Sequence, residues 1–189
     1  MPKLSEKAQD ARRARILDAA ERCFARAGFQ GATMQAICRE VGVSAGAVYV
    51  YFRSKEELIE GLSRRDRAEV REEFARAAIG HDLVEGLASV LRAAVLDKPR
   101  DKVRLLIEMG AEAGRNPAIA RTIGECDADI RGALEDILAD AARRGQIAPA
   151  MPVPDVATLL IVTVDGLFFR SVTDASFDAA SLAPHVLRM

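Results

Sequence analysis

The chain has 189 residues, 50% of them hydrophobic and 29% charged, which excludes global disorder and fits one moderate domain or a small domain joined to a larger one. Aromatics make up 5% and Trp is absent, so strand-forming runs are few and the composition predicts an all-α protein. The formal net charge of −1 hides an asymmetry: residues 1–55 carry +5 and residues 56–189 carry −6. A basic module on an acidic body suits nucleic-acid binding, although chance among Arg-rich helical surfaces gives the same arithmetic.

No run reaches the ~18 consecutive apolar residues of a spanning helix. The longest, Val156 to Phe169, is broken by Thr158, Thr163, Asp165 and Gly166. Behind Met1-Pro2-Lys3-Leu4 there is no apolar core of a signal peptide, so a cytoplasmic protein with no membrane partner is expected. Cys23, Cys38 and Cys126 are too few and too irregularly spaced for a disulfide framework or a zinc site.

The helical period runs through nearly the whole chain. From Lys7 to Ala27, the residues Ile16, Ala20, Cys23, Phe24 and Ala27 form one apolar stripe. Gly28 is expected to stop that helix and Phe29 to fold back on it. Thr33 caps a short helix to about Glu40, Gly42 breaks it, and Ser44 caps another to about Val50. Ser54 with Glu57 fits a capping box at the start of a long helix reaching Ile79. Asp82 opens a helix to Asp97, and a further one runs from Arg100 to Gly114. Asn116-Pro117 starts the next, which reaches Arg143-Arg144 before Gly145. The last long helix spans about Asp155 to Val172. A shorter one follows Phe177, with Pro184 bending or interrupting it.

Thr33 to Leu58 carries the functional signal. Two helices of about seven residues joined by a three-residue turn are too short to stand alone. They need a third, and Lys7 to Ala27 offers its stripe to Ile37, Val41, Val43, Val48 and Tyr51. Cys38 supplies a small side chain where the short helices meet, and Gly42 permits the turn. This is a helix-turn-helix, whose second helix enters the DNA major groove.

Residues 12–60 resemble the DNA-binding part of the TetR family of bacterial transcriptional regulators. The likeness rests on Arg15-Ile16-Leu17-Asp18-Ala19-Ala20, Phe24, Gly28-Phe29, Thr33, Ile37, Gly42-Val43-Ser44, Gly46, Tyr49, Phe52 and Ser54-Lys55-Glu56-Glu57-Leu58. It implies a homodimer of roughly nine-helix subunits, with residues 1–53 as the DNA-binding domain and 54–189 as a ligand-binding and dimerisation domain. The DNA contacts it points to are Thr33, Met34, Gln35, Ser44, Ala45, Gly46, Tyr49 and Lys55. Thr33 and Ser44 cap helix ends whose N–H groups suit phosphate, and the resemblance makes Lys55 a phosphate contact. Gly46 lets the helix lie close to DNA. Family members often carry polar or bulky side chains where this chain has Ala45 and Val50, and Ala47 is small too. Reading then leans on thymine methyl groups, Tyr49 and Gln35, with DNA shape supplying the rest. Arg12, Arg13 and Arg15 either touch phosphates or form a solvated face. Tyr51 and Phe52 are assigned to the core.

The run Val156 to Phe169 is apolar on nearly every side, so it is either central in the subunit or shared with a second one. The resemblance makes it a dimer helix. The expected partners are double-stranded operator DNA, a second copy and a small apolar or amphipathic effector. No cofactor, metal or enzymatic activity is expected: His81 and His185 lack ligand-spaced neighbours, and no phosphate loop or nucleophile motif occurs. Asp165, Glu108 and Glu112 stand out as polar residues on apolar helices. Phe74, Leu105, Met109, Ile130, Leu134 and Phe168 suit either a pocket wall or ordinary core, so ligand residues stay unassigned. The Ser54–Ile79 helix, with a solvated basic stretch at Arg64-Arg65-Asp66-Arg67, is expected to be the only continuous link from body to recognition helix. The leading functional expectation is a repressor released by its ligand. A ligand-independent DNA binder or an activator of the same fold is the alternative.

Overall fold

The computed structural model describes residues 5–79 and 83–186, which form nine α-helices and no strand. They are α1 (Glu6–Gly31), α2 (Met34–Val41), α3 (Ala45–Tyr49), α4 (Lys55–Ile79), α5 (Leu83–Leu91), α6 (Arg100–Ala113), α7 (Pro117–Arg143), α8 (Val153–Thr173) and α9 (Ala179–Val186). The all-α class is as expected. The helix predicted to end at Asp97 instead divides into α5 and a π-helical turn, Arg92–Leu96, where the Asp97 N–H donates to the carbonyl of Arg92, five residues back. Its predicted cap, Asp82, lies outside the described residues, as does His81.

Two compact units emerge. The first joins residues 5–64 to 104–123. Its core holds Ile16, Leu17, Ala20 and Phe24 from α1, Phe29, Ile37 from α2, Val48 from α3, Phe52, and Leu58 and Leu62 from α4. Leu105 and Met109 of α6 and Ile119 of α7 belong to the same core. Each fully buried side chain of this size contributes about 1.5–3 kcal/mol, which is what sustains helices as short as α2 and α3. Leu17 and Ala19 widen the buried face of α1, whereas Ala27, assigned to the stripe, is exposed. A Cβ at Gly61 would stand 2.8 Å from Leu17 and 3.0 Å from the Phe52 ring, so α4 packs on both only because it carries glycine there.

The second unit joins residues 65–103 to the chain beyond residue 123. One cluster contains Phe74, Leu83, Leu134, Ile137, Leu138, Ala141 and Ala157; another contains Leu91, Val95, Leu167 and Val186. The basic stretch of α4 is not uniformly solvated. Arg67 has a side chain only 14% exposed, held 3.2 Å from Asp129 and 3.7 Å from Glu125. Asp66 pairs with Lys102 at 2.7 Å. Nor is α4 the only continuous link, because α6 and α7 also contribute residues to both units.

The candidate pocket residues fall apart into three groups. Leu105 and Met109 sit in the first unit's core; Phe74, Leu134 and Ile130 sit in one cluster of the second, and Phe168 packs in the other. On α8, Leu160, Ile161 and Val164 pack inward, while Leu159, Val162 and Phe169 are exposed. With a mean hydropathy of 1.6, α8 is long and apolar enough to cross a membrane by length and composition, despite its polar interruptions.

Candidate nucleic-acid interface

The turn between α2 and α3 is set by side-chain caps and one left-handed residue. The Thr33 hydroxyl accepts the Ala36 N–H at 3.1 Å, and Ser44 Oγ accepts the Ala47 N–H at 3.3 Å. Gly42 has φ 76° and ψ 32°, and its N–H donates to the carbonyls of Cys38 and Arg39. Each cap uses one of the free N–H groups at its helix start and leaves others facing outward.

Charged pairs brace the turn against α1. Arg22 and Arg26 reach the Glu40 carboxylate at 2.9 and 2.6 Å. Hydrogen bonds from Arg26 and then Arg22 hold the Glu40 carboxyl below its ordinary value. Burial pushes the neighbouring Cys23 thiol up, which keeps it unreactive. The Arg13 guanidinium lies 4.5 Å above the Phe52 ring, so that arginine supports the core rather than forming a free basic face.

Thr33, Gln35, Ser44, Ala45, Gly46 and Tyr49 are all exposed, whereas Met34 is partly buried against the core. An open depression at the turn is lined by Gln35, Cys38, Arg39, Gly42, Val43 and Ala45. Val48 is the buried anchor of α3, and helical spacing places Ala45, Gly46, Tyr49 and Val50 on its outer side. Lys55 is turned inward. Its ammonium donates to the carbonyls of Phe29 at 2.6 Å and Gln30 at 3.4 Å, and lies 4.5 Å over the Phe29 ring.

A second layer steadies this corner. Glu108 of α6 accepts the Phe29 N–H at 3.0 Å. Glu112, one turn on, is buried, accepts from Arg115 at 2.6 Å and is also bonded by the Gln30 side chain; these bonds lower its carboxyl, Arg115 first. Asn116 caps α7 through the Ala118 N–H and donates to Glu56 at 3.2 Å. Burial raises the Glu56 carboxyl, but bonds from its own N–H, Ser54 and Asn116 outweigh it. At the start of α4, Ser54 accepts the Glu57 N–H, while Glu57 reaches back to the Arg53 N–H at 2.7 Å, one residue before the capping-box position. The sequence marked Glu108 and Glu112 as unusual, but nothing local says that they grip the Phe29–Gln30 corner, which for Glu108 lies 79 residues away.

A capped turn and a short buttressed helix with an exposed outer face define a helix-turn-helix DNA-binding protein. The description "Bacterial regulatory proteins, tetR family" matches residues 16–62, and "BetI-type transcriptional repressor, C-terminal" matches residues 83–189. The chain belongs to the TetR family of bacterial transcriptional regulators. It is 30% identical over 171 residues to the HTH-type transcriptional repressor Rv1474c of Mycobacterium tuberculosis, covering 90% of this chain and 87% of that one. The HTH-type transcriptional regulator UidR of Escherichia coli is 31% identical over 153 residues, covering 79% and 76%. The solved structure of Salmonella enterica GusR superposes with a TM-score of 0.83 at 30% identity, covering 100% of this chain and 96% of that one. This chain is therefore a DNA-binding transcriptional regulator.

Proposed function

We propose that the protein is a homodimeric repressor that leaves its operator when a small apolar or amphipathic molecule binds the 54–189 region. The exposed outer side of α3, held on a rigid core and facing solvent with Ala45, Gly46, Tyr49 and Val50, carries the DNA-binding half of this reading. Thr33, Gln35, Ser44, Ala45, Gly46 and Tyr49 contact the duplex, with Met34 at the edge. Lys55 contributes to phosphate: an ammonium has three donors, and two are committed to the Phe29 and Gln30 carbonyls. Residues 1–53 form the DNA-binding domain, braced by residues from α6 and α7.

Support for the dimer comes from α8. Leu159, Val162 and Phe169 recur at three- and seven-residue spacing with Gly166 between them, and all are exposed in the single chain. A second copy buries this stripe, which accounts for the hydropathy of α8 without a membrane and fits a cytoplasmic protein. Two recognition helices about 34 Å apart then reach successive major grooves. The effector class is inferred from the second unit, where no polar or charged side chain among the described residues is buried.

The test is titration of duplexes from the promoter regions around the protein's own gene, followed by addition of candidate apolar compounds. Specific, salt-dependent binding that falls about 5–150-fold with an effector supports the proposal. Binding that no body-bound compound alters overturns the release mechanism.

A further inference from the structure

We propose that Val50 is a specificity-determining residue that reads the 5-methyl group of a thymine in the operator's major groove. The inference rests on α3 being the recognition helix, and it names the base chemistry that helix takes.

Val50 is 80% exposed, the most exposed of the large apolar side chains described. It is not a loose end. Its N–H donates to the Gly46 carbonyl at 3.3 Å and its backbone stays helical, at φ −65° and ψ −31°, so it extends α3 by one fixed position. Gly46, Tyr49 and Val50 stand at i, i+3 and i+4 and share one side of the helix. On that side Gly46 has no side chain and Ala45 has only a methyl, so Tyr49 carries the sole polar side-chain group of α3. A Cβ at Gly46 would meet nothing within 4 Å, so packing inside the protein does not explain the glycine. The result is a low backbone surface from which Val50 and Tyr49 project.

In the major groove each base edge presents hydrogen-bonding groups, and the thymine methyl is the one apolar group among them. Isopropyl against that methyl removes apolar area from water on both sides. The same side chain against a guanine, adenine or cytosine edge strips water from donors or acceptors and returns nothing. Val50 therefore favours thymine and disfavours the alternatives at one position in each half-site.

The test begins with duplexes selected from a random-sequence library by the full-length protein. Each thymine of the selected operator is then replaced singly by deoxyuridine, which deletes the methyl and keeps the pairing. The expected result is one position per half-site where the replacement weakens the natural protein about fourfold, the effect of about 0.8 kcal/mol for one buried methyl group. Val50→Ala should lose that sensitivity while keeping its response at every other thymine; its exposure leaves the fold unaffected. If Val50→Ala and the natural protein respond alike at every thymine, the assignment is overturned while the DNA-binding reading stands. If no sequence is enriched, the recognition-helix reading itself fails, and this assignment with it.

Discussion

A Cβ on Gly28 would stand 2.6 Å from Oε1 of Glu108, the same oxygen that accepts the Phe29 N–H. Gly28 also has φ 69° with ψ 172°, a conformation open essentially to glycine alone, and it turns the chain out of the straight part of α1. From there Phe29 drops into the core beside Phe24, their ring centroids 5.8 Å apart, and Lys55 closes over it. The corner before α2 is thus fixed by α4 and α6 together.

Gly28→Ala should destabilise the protein by ~1–3 kcal/mol, from the strained backbone and from displacing Glu108 off the Phe29 N–H. Chemical denaturation measures it. Adding Glu108→Ala relieves the clash but not the strain, so the double variant should be less destabilised than the sum of the two singles. Strict additivity would show that the close approach has no energetic consequence.

Gly46→Ala separates stability from binding. With nothing within 4 Å of the new Cβ, the protein should keep or gain stability, by at most ~1 kcal/mol. Operator affinity should fall, because in the proposed interface the added methyl faces DNA. A melting curve and an operator titration on the same preparation give both numbers, and unchanged affinity would remove Gly46 from the interface.

Lys55→Ala should lower the midpoint of unfolding, since the Phe29 and Gln30 carbonyls lose their charged donor. Its remaining donor predicts, in addition, a salt dependence of operator binding flatter by roughly one unit. A loss of stability with an unchanged slope would confine Lys55 to the internal clamp.

Val162→Glu should give folded monomers, because Val162 is exposed in the subunit and central in the proposed dimer stripe. Leu160→Glu and Val164→Glu should instead damage the subunit, since both side chains pack inward. Sedimentation and far-UV circular dichroism distinguish the two outcomes. A dimeric Val162→Glu protein would place the interface elsewhere.

The lowered Glu40 carboxyl predicts a pH dependence with a definite sign. Its pairing with Arg26 and Arg22 contributes stability that is fully present above the unfolded value of about 4.3 and is lost as pH falls through the lower folded value. Natural protein should therefore exceed Glu40→Gln in stability at neutral pH, and the two curves should converge in acid. The difference is modest, since the arginines are solvated and salt screens them.

The sequence by itself determined most of the helices and the recognition motif, because their signals are local; the π-helical turn after α5 was not among them. Thr33, Ser44 and Asn116 cap within a few residues of themselves, Gly42 supplies the one left-handed residue of the turn, and three-to-four-residue spacing marks Ile37 and Val48 as inward. The tertiary structure decided what depends on partners far along the chain. It turned Lys55 toward Phe29, brought Glu108 to the same residue and Asn116 to Glu56, and drew Arg67 against Asp129. It also chose which side of α8 is buried: that helix is apolar nearly all round, so its pattern carries no phase, and only packing against neighbouring helices leaves Leu159, Val162 and Phe169 outside.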